Sequence, residues 1–127
     1  MQNKLLTRRT ATSMLAFACL GLAAVIWSRS SARAQGQVRE FSVAGNQHAF
    51  TPGRLDVQQD DLVKITFTAH DMAHSFTIDE YRIAKRAGAG QSVVFEFRAD
   101  RPGTFNYYCN LSQDERCREM KGQLTVR

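Results

Sequence analysis

Four residues of this chain have side chains that suit a soft metal ion, namely His74, Cys109, Cys117 and Met120. The two cysteines and the methionine lie close together in the sequence, between two segments that we expect to be strands. Thiolate and thioether sulfur are soft donors that select copper(I), with zinc as a competitor for the thiolates. His74 lies at the start of another predicted strand and adds an imidazole nitrogen. The residue types therefore predict a metal site with copper as the preferred ion.

The same two cysteines can instead form a disulfide. They are eight positions apart on one predicted loop, and a bridge closes where the two Cα atoms approach within about 4.4 to 6.8 Å. Disulfides persist in the oxidising compartments that exported proteins reach. Metal binding, a disulfide, and redox interchange between the two states therefore all stay open.

Two further histidines and a methionine are weaker candidates for a metal site. His70 precedes His74 by four residues, a spacing that does not place both on one face of an extended segment. The pattern places His48 on a strand, two positions before Phe50 and on the same face. Met72 is expected to pack in a loop.

The first 34 residues have the pattern of an export signal. A basic start (residues 1–10) precedes an uncharged apolar run (11–27), and Ala34 ends a small-residue cleavage site. The apolar run is shorter than the about 20 residues that a membrane span needs. We expect a signal peptide or an N-terminal anchor over residues 1–34, one domain over 36–127, and a periplasmic or other extracytoplasmic location.

The excess of positive charge belongs to that N-terminal segment. All twelve acidic residues follow Ala34, whereas five of the seventeen basic residues precede it. The predicted domain is neutral overall, so the charge gives no argument for nucleic acid as a partner. Contact with a membrane is expected only through an uncleaved N-terminal segment. Cys19 lies in the apolar run, where a cysteine serves as a small apolar residue.

The remaining residues alternate apolar and polar side chains in short segments bounded by turn residues, which is typical of half-buried strands. Six or seven strands at this spacing predict an all-β, two-sheet sandwich. The segment Asp79 to Ala87 is left open to a helical turn. The predicted strands are 38–43, 55–57, 62–68, 75–78, 92–98, 103–109 and 122–127.

Four motifs resemble those of the cupredoxin superfamily, which includes plastocyanin-like and CuA-like copper proteins. The motifs are Phe50-Thr51-Pro52, Asp71-Met72-Ala73-His74-Ser75-Phe76, Arg101 to Cys109, and Met120 to Val126. The resemblance covers essentially the whole predicted domain. It implies a Greek-key β-sandwich in which His74, Cys109 and Met120 bind copper.

The loop between Cys109 and Met120 departs from that family because it contains no histidine. The loop resembles the binuclear CuA loop of cytochrome oxidase subunit II in its length from first cysteine to methionine. Gln113 then stands at the place of the second cysteine, and Cys117 at the place of the histidine. The comparison favours a mononuclear site of His74, Cys109, Cys117 and a weakly held Met120.

A copper site of this composition suits several functions. We expect a one-electron carrier with a redox partner protein, ahead of a copper(I) chaperone or sequestration protein that exchanges copper with a donor or acceptor protein. A metal-free scaffold held by the disulfide is the remaining alternative. The sequence has no arrangement of serine, histidine and acid and no phosphate-binding glycine loop, so we do not expect an enzyme.

Overall fold

The computed structural model describes residues 36–127, which form nine β-strands in two sheets. The sheet orders are β2-β1-β4-β7 and β3-β9-β8-β5-β6. The strands are β1 (Val38–Asn46), β2 (Ala49–Thr51), β3 (Arg54–Val57), β4 (Leu62–Ala69), β5 (His74–Ile78), β6 (Ile83–Ala87), β7 (Ser92–Arg98), β8 (Gly103–Tyr108) and β9 (Lys121–Val126).

The prediction of an all-β, Greek-key two-sheet sandwich is confirmed. Within residues 36–127, no helix is long and apolar enough to cross a membrane. The predicted signal or anchor over residues 1–34 lies outside the described residues and stays a prediction.

Strand β4 illustrates why the sequence forms this sandwich. Its side chains alternate between partly and fully buried along its whole length, because successive residues of a strand point to opposite faces of the sheet. Val63, Ile65 and Phe67 point inward and are fully buried. The strand pairs in parallel with β1 and antiparallel with β7, so it forms the centre of the four-stranded sheet.

Aromatic side chains from both sheets fill the space between them. Phe76 of β5 stacks on Tyr107 of β8 with ring centres 4.6 Å apart. Phe50 of the four-stranded sheet meets the Tyr107 ring of the five-stranded sheet edge-on at 5.0 Å and lies 5.9 Å from Phe67 of its own sheet. Edge-on and offset arrangements are favourable for aromatic pairs, so this cluster joins the two sheets.

The structure has more strands than the six or seven expected. The segment Asp79 to Ala87, left open to a helical turn, contains a 3-10 turn at Asp79–Tyr81 followed by strand β6. Only the first and last residues of β6 are buried, because it is an edge strand whose middle faces solvent. The period-two pattern that reveals half-buried strands is therefore missing there.

Three loops meet at one end of the sandwich. The β1–β2 turn contacts the β4–β5 loop, because the backbone N–H of Gln47 donates to Asp71 Oδ2 at 2.9 Å. The same turn contacts the β8–β9 loop, because His48 Nε2 lies 2.5 Å from Asp114 Oδ2. Three segments that are distant in the sequence are thus brought together at the end where His74 lies.

Candidate metal centre

His74 is the first residue of β5 and is fully buried. Its Nε2 lies 2.7 Å from Asp71 Oδ1, whereas its Nδ1 is buried with no hydrogen-bond partner among the described residues. Buried polar atoms nearly always have a partner, so this nitrogen calls for an explanation. A histidine that ligates a metal typically donates its other ring N–H to a carboxylate. The surroundings of His74 therefore fit a metal ligand that binds through Nδ1.

The Asp71 carboxylate is well placed to remain ionised beside His74. Burial raises its pKa, but hydrogen bonds from His74, from the backbone N–H of Gln47 and from that of Met72 outweigh burial and lower the pKa to about 2. An ionised acceptor keeps the proton of the His74 ring on Nε2. Nδ1 is then left with its lone pair available.

Cys109 and Cys117 are both fully buried and are joined by a disulfide, with their Cα atoms 5.2 Å apart. Cys109 follows β8 directly, and Cys117 lies in a short 3-10 turn, Glu115–Glu119. The structure therefore has the disulfide that the sequence left open as an alternative to a metal. The predicted metal ligand set stays a prediction.

Cys109 is also hydrogen-bonded to β5, the strand that begins at His74. The backbone N–H of Ser75, the neighbour of His74, donates to Cys109 Sγ at 3.4 Å. The Ser75 hydroxyl donates to Asn110 Oδ1 and accepts from the Asn110 backbone N–H, both at 2.7 Å. These bonds fix the start of the β8–β9 loop against β5.

Met120 is buried beside His74. A Cβ atom placed on Gly45 of β1 would lie 3.1 Å from both Met120 Cε and His74 Cδ2, so both side chains pack against the same glycine. The Met120 backbone carbonyl accepts from the Cys109 N–H at 3.2 Å, and its N–H donates to the Cys117 carbonyl at 3.1 Å. The structure thus brings together all four sequence-predicted residues.

His48 belongs to this end of the molecule, although the sequence placed it on a strand with Phe50. That placement was wrong, because Gln47 and His48 form the two-residue turn between β1 and β2, with φ of 49° and 59°. The His48 ring meets the His74 ring edge-on with centres 5.7 Å apart. Nothing in the local sequence pattern indicates this contact, which depends on the turn.

Asp114 connects His48 to the cysteine loop. Its Oδ1 accepts from the backbone N–H of Arg116 at 3.0 Å and so caps the 3-10 turn that contains Cys117. The hydrogen bond from His48, together with that from Arg116, lowers the pKa of the Asp114 carboxyl against the opposing effect of burial. Asp114 lies in a run of charged residues, a pattern typical of a solvated loop, so the sequence does not single it out.

The two weaker candidates on the β4–β5 loop do not join the centre in this structure. His70 is exposed, and Met72 is 40% exposed at the rim of the loop. With the cysteines bonded to each other, the described residues contain no group of three His, Cys, Asp or Glu side chains arranged around a metal ion. A metal ion can bind both cysteine sulfurs only after the disulfide has been reduced to two thiols.

Solved structures of copper proteins share this fold at low sequence identity. Auracyanin A, a "blue" copper protein from Chloroflexus aurantiacus, matches with a TM-score of 0.61 and 17% identity, over 71% of this chain and 99% of its own. The metal-binding domain of the Cu(I)-exporting P-type ATPase CopA from Streptococcus pneumoniae D39 matches with a TM-score of 0.60 and 17% identity, over 71% and 86%. Identities this low establish the shared fold alone.

A heme-copper terminal oxidase also contains a matching chain, with a TM-score of 0.62 and 16% identity over 70% of the present chain. The match covers 65% of the oxidase chain, so the present chain spans slightly less than two thirds of it. The family model of the cupredoxin-like domain matches residues 17–126. With that match over most of its length, this chain belongs to the family of cupredoxin-like domains.

Proposed function

We propose that this protein is an exported copper-binding cupredoxin that carries single electrons. The observation that carries the proposal is the buried Nδ1 of His74, which has no hydrogen-bond partner within residues 36–127 while Asp71 bonds to Nε2. His74, Cys109 and Cys117 would bind the copper, with Met120 as a weaker fourth ligand. When bound, copper supplies one-electron chemistry by alternating between its +1 and +2 states.

The chain's own residues supply rigidity around such a site. His74 and Ser75 belong to a strand in the middle of a sheet, and the Ser75 N–H donates to Cys109 Sγ. Hydrogen bonds to a cysteine sulfur and the apolar surroundings of the site tune its redox potential. Fixed ligands keep the geometry similar in both oxidation states, which favours electron transfer.

Copper binding requires that the disulfide be reduced first. Two electrons and two protons from a thiol reductant convert the Cys109–Cys117 bridge into two thiols, with oxidation of that reductant to its own disulfide. Copper(I) then binds as the thiols release their protons. Both cysteine sulfurs are available to the metal only in this reduced state.

Two thiolates bind copper(I) strongly because they are soft donors, but the second thiolate also adds a negative charge that stabilises copper(II) more than a neutral imidazole does. We therefore expect a reduction potential below that of blue copper proteins with two histidines and one cysteine. Electrochemistry of the copper-loaded protein measures it directly, and a higher potential would contradict the proposed ligand set.

A copper(I) chaperone is the second candidate. The observation in its favour is the second cysteine, because two soft thiolates and a thioether suit copper(I), and the fold is shared with a domain solved with Cu(I). Its partner would be a copper donor or acceptor protein, whereas a carrier needs a redox partner. For both functions we propose an extracytoplasmic location, and for neither do we propose an enzymatic reaction.

The test combines metal analysis with spectroscopy of the purified, thiol-reduced protein. One copper per chain with an intense visible absorption that bleaches reversibly on reduction supports the carrier. One copper per chain that stays colourless under mild oxidation supports the chaperone. Absence of bound copper with both cysteines verified as free thiols would overturn both functions and would favour a metal-free scaffold, which the disulfide holds in the oxidised protein.

A further inference from the structure

His48 occupies a left-handed backbone position, which is uncommon for residues other than glycine. It is the second residue of a two-residue turn, and Asn46 pairs with Ala49 across that turn. Its φ of 59° lies in the left-handed region, which is unfavourable for residues with a Cβ atom and is usually occupied by glycine or asparagine in such turns. The strained position directs the ring toward the metal centre, where its side chain is only 11% exposed.

The surroundings of His48 repeat those of His74. Each imidazole presents Nε2 to a carboxylate oxygen, Asp114 at 2.5 Å for His48 and Asp71 at 2.7 Å for His74. Within residues 36–127, His74 Nδ1 is buried without a hydrogen-bond partner, whereas His48 Nδ1 makes no hydrogen bond to the protein but is not fully buried. A carboxylate on one ring nitrogen is the usual arrangement around a histidine whose other nitrogen binds a metal.

The distance between the two rings permits a shared ion. With a metal–nitrogen distance of about 2.0 Å, two imidazoles on one ion have ring centres no more than roughly 6.4 Å apart. The observed separation is 5.7 Å, with the ring planes nearly perpendicular at 85°. His48 therefore lies within reach of the ion that His74 would bind.

We infer that His48 is the second nitrogen ligand of the copper centre and binds through Nδ1. This inference rests on the proposed function, and it explains how the site obtains a second imidazole although the loop from Cys109 to Met120 contains no histidine. The ligand comes from the β1–β2 turn instead. Asp114 then orients His48 as Asp71 orients His74.

Nuclear magnetic resonance of the thiol-reduced protein loaded with copper(I) tests the inference directly. The chain has three histidines, and long-range ¹H–¹⁵N correlation spectra resolve the two ring nitrogens of each. We expect loading to shift the Nδ1 signals of His48 and His74 and to leave those of His70, which is exposed, in place. A shift for His74 with none for His48 overturns the inference and leaves the proposed function intact.

The same experiment separates the two possible failures. If the protein with verified free thiols takes up no copper(I), the proposed function fails, and the inference about His48 fails with it. Uptake of copper(I) without involvement of His48 refutes only the inference. The measurement uses the unaltered protein, so it does not depend on any variant that folds poorly.

Matched variants distinguish a ligand from a residue that only tethers the loop. We expect His48→Gln to lower the copper(I) affinity at least about 100-fold, and Asp114→Asn to lower it about tenfold, because asparagine still accepts from Nε2. His70→Gln is the control and should leave the affinity unchanged. Pulsed electron paramagnetic resonance of the oxidised samples should count two histidine nitrogens for Asp114→Asn and one for His48→Gln.

A tethering role predicts a different outcome for this pair of variants. Both substitutions act on the same hydrogen bond between the turn and the cysteine loop, which His48→Gln removes and Asp114→Asn weakens, so a residue that only tethers the loop would give a modest loss of affinity in both variants. The number of bound histidine nitrogens would then be the same in both variants and in the unaltered protein. That result would reject His48 as a ligand.

Discussion

At the scale of single residues, the chemistry of the site depends on which nitrogen of His74 carries the proton. Asp71 accepts three hydrogen bonds besides its own solvent contacts, two of them from backbone N–H groups that cannot rotate away. A carboxylate fixed in this way determines the tautomer of the ring that it contacts. In the proposed site, Asp71 therefore positions His74.

Asp71→Asn tests this positioning role. We expect the copper(I) affinity to fall about 10- to 100-fold, because the amide can direct its NH₂ group at Nε2 and favour the wrong tautomer. Competition with a chromophoric copper(I) chelator measures the change. Asp100→Asn is the control, because the Asp100 side chain is exposed and, within residues 36–127, forms an ion pair with Arg101 alone. Equal affinities for the two variants would contradict the role given to Asp71.

At the scale of elements, the β8–β9 hairpin is adapted to a large buried side chain. Tyr107 on β8 faces Gly122 on β9, and a Cβ atom at position 122 would collide with the Tyr107 ring. The ring cannot move aside easily, because its hydroxyl donates to the Pro52 carbonyl at 2.9 Å and its face stacks on Phe76. Glycine is required at position 122 by this close approach.

Gly122→Ala should therefore destabilise the domain. Forcing an extra methyl group into a packed site costs about 1–3 kcal/mol, and we expect a value at the upper end because the ring is held on two sides. Urea denaturation measures the free energy of unfolding. Gly53→Ala is the matched control, since a Cβ there would make only ordinary contact, with the Phe50 carbonyl at 3.6 Å. A similarly small decrease in the free energy of unfolding in both variants would refute the packing argument.

Asp61 joins β1 to the turn that precedes β4. Its buried carboxylate accepts from the backbone N–H groups of Gln37 and Gln58, both at 2.8 Å, and from Arg39 Nε at 3.3 Å. Burial raises its pKa, but these hydrogen bonds and the Arg39 charge outweigh burial, so the pKa in the folded state lies below the ordinary value. Protonation of Asp61 is thus easier in the unfolded chain.

The sign of the pH dependence follows from that lowered pKa. The contribution of Asp61 to stability is fully present above the unfolded-state pKa of about 3.9 and is lost as the pH falls through the lower folded-state pKa. Asp61→Asn should cost about 1–3 kcal/mol at neutral pH, since an amide cannot accept from all three donors. It should also flatten the decline in stability below about pH 4. Urea denaturation across this pH range checks both effects.

Particular elements show how far the sequence predicts this structure. The period-two pattern predicted β4 correctly, because one face of that strand is buried along its whole length. Strand β6 was missed because solvent covers both faces of its middle. The contact between His48 and Asp114 joins residues 66 positions apart and depends on a left-handed turn and a capped 3-10 turn. No local pattern encodes such a contact.

At the scale of the whole molecule, two sheets act as a support for three loops at one end. The histidine strand β5 belongs to the five-stranded sheet, whereas Gly45, against which His74 and Met120 pack, belongs to the four-stranded sheet. The site therefore requires both sheets in their relative positions. Its integrity and the stability of the sandwich are coupled.

The disulfide, dithiol and copper-loaded forms of the domain should differ in their free energy of unfolding. A disulfide closing a loop of this length contributes about 2.5 kcal/mol by the chain-entropy estimate, so reduction should lower the free energy of unfolding by about that amount. Copper(I) should restore it, because an ion that binds the folded state preferentially stabilises it by mass action. Urea denaturation of the disulfide, dithiol and copper-loaded forms tests this. A dithiol form that gains nothing from copper would contradict the proposed site.

The burial of the two cysteines also bears on the order of events after synthesis. Sandwiches with pairings as distant in the sequence as Leu55 with Leu124 fold in roughly milliseconds to seconds. Forming a disulfide takes roughly seconds to hours, depending on the oxidant, and oxidants reach fully buried thiols such as Cys109 and Cys117 slowly. The newly folded chain thus passes through a period as a dithiol. Copper that arrives in this period needs no reductant, whereas copper that arrives later meets a disulfide that must first be reduced.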